Sequence, residues 1–193
     1  MVTTTQKPAA GKSISTEPRS LDEWLESPLK GTEWVKGSLQ KKTGMTLTHS
    51  RVQGTLCYYW RCYVESQQLG GQVYTEPPCQ TTGRQARKPD VAYLTPELSK
   101  KHCGAKVLPQ SFPLSAEIVS PTDAALDVFE KAEEYLVSGG EESGGEEVWL
   151  VFPESALVIV LSAESKQIFG AGETVTSQRV LPGFSIAVDD LLA

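Results

Sequence analysis

The stretch SFPLSAEIVSPTDAALDVFEKAEEYLV, residues 111–137, decides the fold. Its first half reads as a strand: Ala116 and Ile118 share one face, while Ser115, Glu117 and Val119 share the other. A carboxylate therefore sits in the middle of the most strand-like run. Ser120 is a natural N-cap, Pro121 suits a first helical position, and Asp123 stands where a capping acid belongs. The spacing predicts a helix from 121 to about 138 that carries Lys131 and runs back along the sheet.

Working outward, further strand-like segments flank this unit: GQVYTE, KPDVAYL, EVWLVFP, ALVIVLSA, QIFGAGETVTS and FSIAVDDLL. Earlier, Ser20-Leu-Asp-Glu23 is a capping box opening a short helix with Leu21, Trp24 and Leu25. TEWVKGSLQKK follows as a hairpin turning at Lys36-Gly37. From Thr48 to about Gln67, Val52, Leu56, Tyr59, Trp60 and Tyr63 recur at three- and four-residue steps, the mark of an amphipathic helix with core aromatics. Early helices, serial strands and one crossover helix imply an α+β (α/β-like) domain, a mixed β-sheet core flanked by helices. The 193 residues suit a single domain over 20–193, and the Thr/Ser/Pro/Ala-rich residues 1–19 read as a flexible tail.

Composition narrows the function. No apolar run reaches the roughly 20 residues of a membrane span, and the first residues lack the apolar core of a secretory signal, so a cytoplasmic protein is expected. Cys57, Cys62, Cys79 and Cys103 form no CxxC pair, and with His49 and His102 they lack zinc-ligand spacing, so reduced thiols are expected. The two histidines read as surface or core-edge residues. A net charge of −6 opposes nucleic-acid binding by the whole surface. Charge is uneven, however: Arg84, Arg87, Lys88, Lys100, Lys101 and Lys106 face only Asp90 and Glu97 in the same segment. Lys30, Lys36, Lys41 and Lys42, with Arg51 beyond, form a second basic set. Solvated loops and a phosphate-facing rim both remain open for these lysines and arginines. VSGGEESGGEEV is an exposed Gly/Glu loop over 138–147; it follows a helix and bears negative charge, so it is no phosphate cradle. Gly170-Ala-Gly172 lacks the dinucleotide fingerprint, and no P-loop, nucleophile elbow or HExxH is present.

Chemistry points to three residues. A strand carboxylate such as Glu117 is partly desolvated and costs several kcal/mol at worst unless a cation or donor meets it; an edge strand or a purely structural ion pair to an arginine is the competing account. Glu117 lies about 10 Å back from Ser120 at strand rise, and Lys131 about 16 Å back at 1.5 Å per residue. Backward lean and side-chain length cover most of that difference. A surface pair with Asp127 is the competing account of Lys131. Asp90, after Pro89, opens another strand. Two convergent carboxylates hold Mg²⁺ or Mn²⁺, and a lysine beside them orients or helps deprotonate an attacking water, as phosphodiester hydrolysis requires.

KPDVAYLTPEL, AEIVSPTD, a helix with Lys131 and Tyr135, and EVWLVFPES together resemble the Uma2 family of restriction-endonuclease-like proteins, within the PD-(D/E)XK nuclease superfamily. EWVKG, THS at the head of the first long helix and VLPGFSIAVDDLL extend the resemblance from about Ser20 to the end. It implies a restriction-endonuclease-like sheet, Asp90 and Glu117 as metal ligands, Mg²⁺ (with Mn²⁺ as the alternative), DNA as substrate and a homodimer. Family proteins carry the lysine on the helix, which matches Lys131, and Glu33 matches an early acidic position. Val119 stands where the superfamily's strand lysine would be, so the chemistry rests on Lys131. Phe152 replaces an Asp common in relatives. The resemblance implies a Mg-dependent endodeoxyribonuclease. A catalytically inactive nuclease-fold binding module, DNA-associated or not, is the alternative. A third reading is an interaction domain with Trp34, Trp60 or Trp149 at a dimer surface.

Overall fold

A computed structural model of the chain describes residues 17–42, 45–137 and 144–193. The expected tail over 1–19 lies outside these residues except for 17–19, and the Gly/Glu loop is described only from 144 onward.

Ser20 caps α1 (Leu21–Glu26), its hydroxyl accepting from Glu23 N at 3.2 Å. β1 (Thr32–Val35) and β2 (Ser38–Lys41) form the expected hairpin, with Val35 opposite Ser38. Lys36 and Gly37 both take positive φ, 50° and 81°, as a two-residue turn of this hand requires. α2 (Leu47–Ser66) begins one residue before the expected Thr48, because Thr46 is the cap and accepts from His49 N.

β3 (Gln72–Thr75), β4 (Cys79–Thr82), β5 (Gln85–Arg87) and β6 (Val91–Leu94) follow, then α3 (Pro96–Lys101) and β7 (Leu114–Ile118). α4 (Ala125–Val137) starts four residues later than the sequence predicts. Ser120 and Asp123 instead close a separate turn: Ser120 N donates to Asp123 Oδ2 at 2.9 Å, and Asp123 N to Ser120 O at 3.0 Å. The Asx side chain satisfies the backbone locally and so delays the helix. β8 (Glu147–Phe152), β9 (Leu157–Leu161), β10 (Lys166–Phe169), β11 (Thr174–Thr176), β12 (Ser185–Ala187) and α5 (Val188–Leu192) complete the chain.

Six strands make the main sheet in the order β10-β9-β8-β7-β6-β3. β7 and β8 are parallel, joined through α4; the other pairs are antiparallel, so the sheet is mixed as expected. Both faces are covered. Trp149 and Val151 point to α2, packing with Val52, Leu56 and Trp60, whereas Val148 and Leu150 pack with Val128, Ala132 and Tyr135 of α4. Full burial on alternate faces explains why these strands read as continuous apolar runs. At the end of α4, a Cβ on Gly145 would fall 2.3 Å from Tyr135 O, so only glycine lets β8 enter this closely.

A second sheet, β2-β1-β5-β4, packs Trp34 and Ala86 against Trp24 of α1. The chain passes from this sheet to the main one through Lys88-Pro89-Asp90, between β5 and β6. All four tryptophans are buried, which removes Trp34, Trp60 and Trp149 as a dimer surface. Among the described residues no helix is long and apolar enough to cross a membrane.

Candidate active site

Four elements bring charge to one point. β1 supplies Glu33, the passage into β6 supplies Asp90, β7 supplies Glu117, and α4 supplies Lys131. All four are largely buried, Asp90 being only 1% exposed. Lys131 Nζ lies 2.9 Å from Glu117 Oε2 and 2.9 Å from Glu33 Oε1. The later start of α4 accounts for the reach: Lys131 is seven residues beyond Ala124, whose carbonyl accepts from Val128 N. At 1.5 Å per residue that is about 10 Å, level with Glu117. Asp127 is exposed and is not among the ion partners of Lys131, so the surface-pair account does not describe this lysine.

Each carboxylate is held in place. Tyr135, one turn beyond Lys131, donates its hydroxyl to Glu117 Oε1 at 2.7 Å. Asp90 Oδ2 accepts from Ile118 N at 2.8 Å, and Oδ1 carries the Lys42 ammonium at 2.7 Å. Glu33 accepts from Lys88 N at 2.9 Å and meets Arg87 at 3.3 Å; Arg87 in turn grips both oxygens of Glu134. His49 Nε2 stands 3.4 Å from Asp90 Oδ1, a charge contact without good hydrogen-bond geometry, and among the described residues neither ring nitrogen has another partner.

The charges respond. Burial works to raise the Asp90 carboxyl, but Lys42 above all, then His49 and Lys131, holds it far below the usual range. Burial likewise opposes the charge on Lys131, yet Glu117, Glu33 and Asp90 outweigh it and keep the ammonium well above its ordinary value. For Glu117, burial pushes the carboxyl up against the pull of Lys131. Lys131 is therefore a fixed cation here.

These groups line a cavity of about 450 Å³. Lys36, Lys41, Asp123 and Asp127 are among its lining residues, and Lys36 reaches Glu130 of α4 at 2.9 Å. The basic rim expected from Arg84 to Lys101 does not form as read. Arg87 and Lys88 turn inward, 8% and 5% exposed, Arg87 to its two glutamates and Lys88 to Leu29 O, with its ammonium 5.2 Å from the Trp24 ring centre. Buried acids and carbonyls pair these cations more strongly than solvent would. Arg84, Lys100 and Lys101 are exposed, but none lines the cavity.

The family model with the description "Uma2: Putative restriction endonuclease" matches residues 19–189. The chain belongs to the Uma2 family. A solved structure described as "a putative nuclease belonging to DUF820", from Anabaena variabilis, superposes on this Uma2 chain with a TM-score of 0.77. The two are 19% identical over 91% of this chain and 98% of that one, a likeness that shows the fold. No curated protein matches the sequence. The restriction-endonuclease-like architecture expected from the motif order is thus present.

The Uma2 site is wider than its four legible residues. Lys42, His49 and Tyr135 also belong to the cluster. A signal for His49 was at hand, since THS opens the helix that faces Asp90, and Tyr135 sits one turn from Lys131 on the same helix face. Lys42 carried no such signal beyond its place beside an exposed Lys41 on a strand end.

For a metal, the donor set is suitable but sparse. Asp90 and Glu117 offer hard carboxylate oxygens at the cavity, the type Mg²⁺ and Mn²⁺ take. Glu33, Asp90 and Glu117 meet the ammonium groups of Lys42 and Lys131, while Arg87 is matched by Glu134; burial opposes charge on His49, but Asp90 beside it raises its pKa on balance. Among the described residues no three His, Cys, Asp or Glu side chains cluster to enclose an ion. An ion here would keep water on most of its shell, as Mg²⁺ commonly does.

Proposed function

We propose that this chain is a metal-dependent endonuclease that hydrolyses DNA phosphodiester bonds at the cavity where Glu33, Asp90, Glu117 and Lys131 converge. The observation that carries the reading is the Lys131 ammonium, delivered from a helix to 2.9 Å from the strand carboxylate Glu117, in a chain of the Uma2 family. Asp90 and Glu117 would hold Mg²⁺, with Mn²⁺ as the alternative. When bound, the ion would polarise the phosphodiester and acidify a water.

The chain's own residues do the rest. Lys131 stays protonated, so it acts by orienting the attacking water and countering the charge that builds on the phosphate, in preference to removing a proton. Glu33 holds Lys131 from the side opposite Glu117. Tyr135 fixes the Glu117 rotamer, and the Ile118 amide fixes Asp90. Lys41, exposed in the cavity lining, is placed to meet the DNA backbone, whereas Lys36 is paired with Glu130 at 2.9 Å. We extend the reading to a cytoplasmic homodimer, which sedimentation of the full chain would test.

Plasmid nicking decides the matter. The wild-type protein should cleave with Mg²⁺ or Mn²⁺, and Glu117→Gln should lose at least about 10²-fold, the scale of one electrostatic catalytic group. No cleavage by wild type, or equal cleavage by Glu117→Ala, would sink the proposal. A non-catalytic binding module is the second reading, favoured by Lys42 seated on Asp90 Oδ1. It predicts no Mn²⁺ uptake; binding that disappears in Asp90→Ala excludes it.

A further inference from the structure

Lys42 takes no role in the nuclease reading above, yet it is among the best-held groups of the cluster. It follows β2, where Lys41 is exposed and the next side chain turns inward. Its side chain is 9% exposed. The ammonium donates to Asp90 Oδ1 at 2.7 Å and Lys88 O at 2.8 Å, and Glu76 Oε1 stands within ion-pair reach at 3.8 Å. Burial opposes its charge, and Asp90 more than restores it.

The two oxygens of Asp90 are not equivalent. Oδ2 is taken by the Ile118 amide, which belongs to the strand itself and has nowhere to go. Oδ1 is the oxygen that faces cations: Lys42 lies on it at 2.7 Å and His49 Nε2 stands 3.4 Å away. A divalent ion approaching Asp90 meets a like charge at the same atom. Negative charge at this point is shared by Glu33, Asp90 and Glu117, so removing one ammonium would strengthen the field that attracts a metal.

We propose that Lys42 is the resident counter-ion of Asp90: it competes with the divalent ion for Oδ1, is released when metal binds, and so sets the metal concentration at which the site loads. The inference rests on the metal site assigned to Asp90 and Glu117. A lysine competing for a ligand oxygen differs from one that merely fills space, because only the first couples its own accessibility to metal.

Two measurements on the full chain test it. Titration calorimetry with Mn²⁺ compares wild type, Lys42→Met and Lys42→Arg, each checked by thermal melting. Lys42→Met should bind Mn²⁺ at least about 10-fold tighter, about 1.4 kcal/mol, and Lys42→Arg should not. In wild type, reductive methylation read by mass spectrometry should modify Lys42 several-fold faster when saturating Mg²⁺ is present, with Lys106 as an exposed internal reference. Unchanged or weaker Mn²⁺ binding by a folded Lys42→Met, or a Lys42 labelling rate indifferent to Mg²⁺, overturns the inference and leaves the nuclease reading standing. If Lys42→Met does not fold, the labelling result decides alone. Failure of wild type and Lys42→Met alike to bind Mn²⁺ overturns the metal site itself, and the inference with it.

Discussion

Replacing Lys131 by Met keeps the length and apolar stem of the side chain and deletes the ammonium. Glu33 and Glu117, 7% and 10% exposed at the side chain, each lose a partner at 2.9 Å. Glu33 retains Arg87 and the Lys88 amide; among the described residues Glu117 keeps Tyr135. Breaking a buried pair in this way costs about 3–5 kcal/mol. Protonation of Glu117 sets a ceiling on its share. An ordinary glutamic acid titrates near about 4.3, so accepting a proton at pH 7 costs about 3.7 kcal/mol, and at pH 5 only about 1 kcal/mol. Burial already raises the Glu117 carboxyl in the wild type against the pull of Lys131, and losing that lysine raises it further. The folded state then binds more protons, so stability is fully present below about pH 4 and is lost as pH rises through the folded pKa. Lys131→Met should therefore be about 3 kcal/mol less stable than wild type at pH 7, and about 1 kcal/mol less stable at pH 5. Urea denaturation of both proteins at the two pH values reads this directly. For a chain of this size the pH 7 loss corresponds to a melting temperature lower by about 6–12 °C. A loss below about 1 kcal/mol at pH 7, or one that does not shrink on acidification, refutes the buried cluster as the site of the charge.

Asp90 predicts the opposite slope. Its folded-state pKa lies far below the ordinary value near about 3.9, so its contribution is present above that value and disappears as pH falls through the folded pKa. Asp90→Asn should cost about 3 kcal/mol at pH 7, with a wild-type-minus-variant difference that narrows between about pH 4 and pH 2 in denaturant melts. A constant difference across that range contradicts the assignment. Glu147 is fully buried and accepts from Trp149 Nε1 at 2.6 Å, Ser177 Oγ at 3.2 Å, and the amides of Gln178 and Arg179 at 2.8 Å each. Glu147→Ala strands these donors and should cost at least about 3 kcal/mol in the same melts, at about 1–3 kcal/mol per orphaned group; a loss under about 1 kcal/mol would show that they find other partners.

Elements whose signals are local were legible in the sequence. Ser20 announced its cap, Lys36-Gly37 its hairpin, and the apolar runs of β7, β8 and β9 their burial on two faces. β4 and β5 were missed, because CQTT and QAR carry little β-forming apolar content. What makes them strands is a distant partner, Trp34 of β1 lying opposite Ala86. In the site, Glu33, Asp90, Glu117 and Lys131 could be found from the order of motifs, and the structure brings all four together. The basic segment misled for a physical reason. Charge density along a chain says nothing about which face a side chain takes, and Arg87 and Lys88 follow a buried Ala86 on the way into the main sheet. His49 was read as a surface or core-edge residue; its contact with Asp90 depends on how α2 lies across the sheet, which no local pattern encodes.

The passage between the two sheets has a consequence for folding. Lys131 and Glu117 are 14 residues apart and belong to one strand–helix unit, so their pair needs only a short loop closure. Lys42 and Asp90 are separated by 48 residues, Arg87 and Glu33 by 54, and both contacts exist only after the hairpin has docked. A chain caught before that docking holds Glu117 and its lysine but lacks the frame around them. The cavity is thus a property of the joined sheets: its walls come from segments far apart in the chain, and it is complete only when both sheets are in place.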